Sequence, residues 1–113
     1  MQPVIDVAAL LTRLAGDGEL LQELLGVFLD DLPIKIAALR QAQAEGDLYQ
    51  VSRRAHAIKG SVGVINADSA RECAAELEMA AVAGDAARVD VLVDALLDHL
   101  DAVVTCIEDI KTP

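Results

Sequence analysis

Among the side chains of this sequence that could do chemistry near neutral pH, His56 has the most informative neighbours. Imidazole is both a nucleophile and a proton carrier in that range. Lys59 stands three residues on and Gly60 four, so on a helix both lie one turn from the ring. Ser52 one turn before and Gly63 two turns after extend the same strip, with Arg53 beside Ser52. A glycine inside a helix costs roughly 1 kcal/mol relative to alanine, and here two stand on the histidine's own face. Their missing side chains would let another protein approach the imidazole. Lys59 would set a positive charge beside any anion the ring carried. A nucleophile, an adjacent cation and a bare helical surface suit acceptance of a phosphoryl group from a folded donor. Two plainer alternatives stand beside this one: a surface histidine with no role, and glycines that only let helices pack.

The helix carrying His56 reads clearly. Leu48, Val51, Ala55, Ile58, Val62 and Ile65 alternate spacings of three and four residues, which makes a core stripe. At about 100° per residue, His56 lies roughly 130° from the centre of that stripe and points outward. Gly46-Asp47 before Leu48 pairs a helix stop with an N-cap, and Asn66-Ala67-Asp68 after Ile65 is expected to end this helix and cap the next. The active helix is therefore expected over about 48–65.

The same punctuation divides the rest. Gly16-Asp17-Gly18 separates a short N-terminal helix, around Val4 to Ala15, from a segment running from about Glu19 to Asp31. Pro33 suits the first turn of a further helix reaching about Ala44. The helix after Asp68 runs to Ala83, and Gly84-Asp85 introduces a last one from about Ala86 to Ile110. Short connections between amphipathic helices imply an all-α, antiparallel up-down four-helix bundle with short N-terminal helix or helices added. The whole chain, 1–113, is expected to be one domain.

Composition agrees. The chain has 113 residues, 54% of them apolar and with no Trp, and the apolar set is rich in the helix formers Ala and Leu. No apolar run approaches the roughly 20 residues of a membrane span, and no signal-peptide pattern opens the chain. Cys73 and Cys106 lack CxxC spacing and read as reduced, core-facing thiols. A net charge of −10 argues against a nucleic-acid partner. Yet no Asp or Glu occurs from Leu48 through Ala67, where Arg53, Arg54 and Lys59 lie, so an acidic partner has one basic island to meet.

His56-Ala57-Ile58-Lys59-Gly60-Ser61 resembles the H-x-x-K-G-S/A signature of histidine-containing phosphotransfer (HPt) domains. Phe28-Leu29-Asp30-Asp31, Leu39, Gly46-Asp47, Ala55, Ala67, Cys73, Leu77-Glu78 and Gly84-Asp85 extend the likeness over about Leu20 to Leu100. Val64, where Asn is frequent, and Asn66, where Gly is usual, depart from the pattern. Asn tolerates left-handed geometry, so the turn should survive.

The resemblance implies a phosphorelay carrier. His56 would take a phosphoryl group from a receiver-domain aspartate and pass it to a response-regulator aspartate. Lys59 would neutralise phosphate oxygens. Ser52, Arg53, Gly60 and Gly63 would contribute to the partner contact. Mg²⁺ would sit on the receiver, and the chain would need no cofactor or metal of its own. It has no G-x-x-x-x-G-K-[ST] loop, so it is not expected to be an autonomous kinase. The resemblance further implies a cytoplasmic monomer without membrane contact. Pro3-Val4-Ile5-Asp6 resembles the lead-in to such domains at the C-terminus of hybrid sensor kinases, which are often membrane-bound.

The alternatives are a non-catalytic helical interaction module and a metal-binding bundle using His56 and His99. His99, between Leu96 and Leu100, has no His or Cys at ligand spacing and reads as a packed or boundary residue. Ser61 reads as an N-cap, surface or inter-helix hydroxyl rather than a nucleophile.

Overall fold

Aspartates start most of the helices. In the computed structural model, which describes residues 2–111, Asp6, Asp17, Asp47 and Asp85 each accept a hydrogen bond at 3.0–3.1 Å from the backbone N–H three residues on. Each satisfies a donor that the first helical turn leaves free. The helices are α1 Val7–Arg13, α2 Gly18–Ala44, α3 Leu48–Val64, α4 Asp68–Val82 and α5 Ala86–Lys111. No strand occurs among the described residues. Left-handed residues close the helices: Gly16, Gly46 and Gly84 have φ of 68–77°, and Asn66 has φ 57°.

Three expectations need correction. Pro33 begins no new helix; it lies inside α2, which runs unbroken for 27 residues. Proline removes one helical hydrogen bond and crowds the preceding turn. Here it faces solvent, while Leu21, Leu25, Phe28 and Leu32 before it and Leu39 and Ala42 after it share one buried stripe. Burial on both sides of Pro33 holds the helix together. Helix α1 starts at Val7 rather than Val4, because Asp6 is its cap. The Asn66-Ala67-Asp68 turn ends α3 but does not cap α4 with a side chain: the N-cap is Ala67, whose methyl group can accept no hydrogen bond.

Contacts between helices fix their direction. Lys35 of α2 hydrogen-bonds Ser61 of α3; Glu78 of α4 meets His56 of α3; Arg88 of α5 pairs with Glu76 of α4 at 3.5 Å. Each neighbour runs antiparallel to the last, so the four long helices form the expected up-down bundle. Helix α1 lies across the end where α3 turns into α4: the Asp6 N–H donates to the Asn66 carbonyl at 3.0 Å.

The α3 stripe lies at the centre of the core, with Val51, Ala55, Ile58 and Val62 fully buried and Leu48 packed at its edge. No polar or charged described residue is buried. Both cysteines are free thiols: Cys73 is buried and Cys106 only half-buried. Burial, and then the nearby Glu76 carboxylate, push the Cys73 thiol pKa up.

Candidate functional site

The outer face of α3 presents His56 with its side chain 67% exposed. The ring leans toward α4, where Glu78 receives it: Nδ1 lies 3.0 Å from one Glu78 carboxylate oxygen. The Lys59 ammonium donates to the other oxygen at 2.7 Å. An ionised carboxylate can only accept, so Nδ1 carries a hydrogen and donates it. In the neutral ring this leaves the Nε2 lone pair free, and Nε2 has no hydrogen-bond partner among the described residues. The Lys59 hydrogen bond, more than the one from His56, holds the Glu78 carboxyl below its ordinary pKa, against an opposing push from partial burial. Glu78 therefore stays ionised at neutral pH and fixes which imidazole nitrogen is nucleophilic.

Sequence reasoning missed Glu78 as a chemical group, noting it only within Leu77-Glu78. A signal was present: His56 and Glu78 each stand eleven residues from Ala67, on opposite sides of the turn. Two helices folded back at that turn bring those positions opposite each other. Lys59 is on the expected face, but its ammonium rests on Glu78 rather than standing free.

The two glycines differ. A Cβ at Gly60 would meet nothing within 4 Å, so the backbone there is open to a partner. A Cβ at Gly63 would lie 3.2 Å from Cδ of Arg71. That position is roofed by an α4 side chain, so the bare strip expected on this face does not extend to Gly63. Ser52 and Arg53 share a shallow cleft with His56 and Glu78. The Ser52 hydroxyl donates back to the Tyr49 carbonyl at 2.6 Å, and the Arg53 guanidinium lies over the Tyr49 ring, 5.8 Å from its centre.

On the other flank of α3, Leu24, Val27, Phe28 and Leu32 of α2 form an apolar groove with Val64 and Ile65. Val64 is 46% exposed there and extends the apolar wall. Ser61 closes one end as an inter-helix hydroxyl: it accepts from Lys35 and donates to the Ala57 carbonyl at 3.2 Å. His99 is a half-buried boundary residue beside Ser69 and Val103, in a different cleft from His56. Among the described residues no group of three His, Cys, Asp or Glu side chains could hold a metal ion.

The sequence profile of the Hpt domain family matches residues 23–105. Among solved structures, the fold is similar to the HPT domain of an Hpt sensor hybrid histidine kinase from Shewanella. The TM-score is 0.81 at 19% identity, over 95% of this chain and 92% of that one. No curated protein matches.

Proposed function

The chain belongs to the Hpt domain family, the matched stretch being residues 23–105 of 113, and from that premise we propose that His56 is the residue on which it carries phosphoryl groups. Its role is histidine phosphotransfer in a two-component phosphorelay, and its partners are receiver domains. The observation that carries the assignment is the ionised Glu78 on Nδ1, which leaves Nε2 as the free nucleophile of an exposed ring.

In the forward step Nε2 attacks the phosphorus of a receiver's aspartyl phosphate. The P–N bond forms, the acyl P–O bond breaks, and the aspartate leaves as a carboxylate. The ring then carries a positive charge with its hydrogen still on Nδ1, facing Glu78. Delivery to a second receiver is the reverse. Lys59, one turn away, swings from Glu78 to phosphate oxygens, and open Gly60 admits the receiver's loops. Ser52 and Arg53 line the approach, and Gly63, roofed by Arg71, is left out of it. Mg²⁺ belongs to the receiver, and the chain supplies no cofactor. The proposed setting is the cytoplasm, with the domain acting as a monomer. No described helix is long and apolar enough to cross a membrane.

The test is transfer of label from a phosphorylated receiver domain at fixed salt. His56→Gln abolishes labelling while far-UV helicity is retained. Lys59→Ala slows it roughly 5- to 100-fold without eliminating it, a loss of about 1–3 kcal/mol in transition-state stabilisation. Undiminished labelling of His56→Gln sinks the assignment and leaves a helical interaction module with an incidental histidine.

A further inference from the structure

The cleft beside His56 continues into a surface that the transfer chemistry does not use. One turn back from His56 on α3 lies Ser52, and a further turn back lies Tyr49, on the same face. Because α4 runs antiparallel with Glu78 opposite His56, the residue one turn beyond Glu78, Val82, comes opposite Ser52. Tyr49 and Val82 are 65% and 75% exposed, large apolar side chains left in water on α3 and α4 beyond the cleft that Ser52, Arg53, His56 and Glu78 line. Arg53 lies over the Tyr49 ring, and its Nη1 donates to the Tyr49 hydroxyl at 3.3 Å. Arg53 has no carboxylate partner among the described residues. Its neighbour Arg54 is likewise exposed and without one, in a stretch free of acidic residues within a chain of net charge −10.

We infer that this rim, Tyr49 with its stacked Arg53 and Val82 on α4, is a docking contact that selects which receiver domain reaches His56. The inference rests on the phosphotransfer reading and adds the partner's chemistry to it. The matching receiver edge carries a carboxylate for Arg53 beside an apolar side chain for Tyr49 and Val82. Two features point to that occupant. The rim is continuous with the cleft that holds His56, so a protein bringing an aspartate to Nε2 lies against it. The rim's charge is also opposite to that of the rest of the chain. An aromatic ring and an arginine already held together lose little conformational freedom on binding, as interface anchors tend to.

The experiment uses two phosphodonors on the full chain. One is a receiver domain charged with acetyl phosphate that passes label to the wild type; the other is phosphoramidate, which has no protein surface to dock. Tyr49→Ala with Val82→Ser is expected to raise KM for the receiver about tenfold with kcat within about twofold, and to leave phosphoramidate labelling at the wild-type rate. Arg53→Glu is expected to raise KM at least as much and to reverse this contact's salt dependence, since an attractive charge pair becomes a repulsive one that salt screens. Unchanged receiver KM in these variants, with the wild type labelled normally, overturns this inference alone. Absence of label on the wild type from both donors overturns the phosphotransfer reading and this inference with it.

Discussion

At His56 a carboxylate from a neighbouring helix does what the histidine cannot do alone, namely choose between two chemically similar nitrogens. Glu78 also faces the charge that develops when Nε2 attacks. Glu78→Gln keeps an acceptor for Nδ1–H but removes that charge. Transfer from a phosphorylated receiver is expected to slow on the order of tenfold, equivalent to about 1.4 kcal/mol. The same substitution has a stability signature. The Glu78 pKa is depressed in the folded chain, principally by Lys59. Its contribution to stability is therefore present above the unfolded value, about 4.3, and is lost as pH falls through the lower folded value. Urea midpoints at pH 7 and pH 3 should lie closer together in Glu78→Gln than in the wild type.

Helix α3 has two different glycines and a tethered end, and each makes a separate prediction. Gly60→Ala adds a side chain into open space and should stabilise the fold by about 0.5–1 kcal/mol in urea denaturation. Gly63→Ala should gain less, because its Cβ must displace the Arg71 stem. At the C-terminus, Arg13 of α1 donates to the Val64 carbonyl at 3.3 Å and to the Asn66 side chain. A cation there meets the negative end of the helix and free carbonyls. Arg13→Ala should cost about 1 kcal/mol. Asn66 sits at φ 57°, where glycine is more comfortable than asparagine. Asn66→Gly should therefore stabilise the chain in the Arg13→Ala background and be close to neutral in the wild type. Equal effects in both backgrounds would show that the two side chains are uncoupled.

Across the whole molecule, α3 has one face in the centre of the core and the opposite face in solvent, so stability and chemistry separate by side of helix. Ile58 is fully buried between Ala55 and Val62 while His56, two residues away, is exposed. Ile58→Ala should cost about 2–5 kcal/mol, a large part of the 5–15 kcal/mol typical of a domain. Under conditions where the variant stays folded, its rate of transfer should remain within about twofold of wild type, read by labelling in parallel with urea denaturation.

The sequence by itself determined the helix stops at the glycine-aspartate turns and the outward register of His56, because each depends on neighbours along one stretch of chain. The alternation of threes and fours from Leu48 to Ile65 makes a core stripe wherever the helix packs. Gly46-Asp47 and Gly84-Asp85 stop and restart a helix by local backbone geometry and hydrogen bonding. The H-x-x-K-G-S run from His56 to Ser61 likewise needed no fold to be read. Tertiary structure decided what lies across from these residues. Pro33 breaks helices by local rules, yet burial of Leu32 and Leu39 on either side outweighed the lost hydrogen bond. Arg71 covers Gly63 and Glu78 reaches His56 only because α4 folds back in one register against α3. A shift of one residue would rotate Glu78 by about 100° away from the ring. Local spacing places a side chain on a face, and only packing between helices chooses the group that faces it.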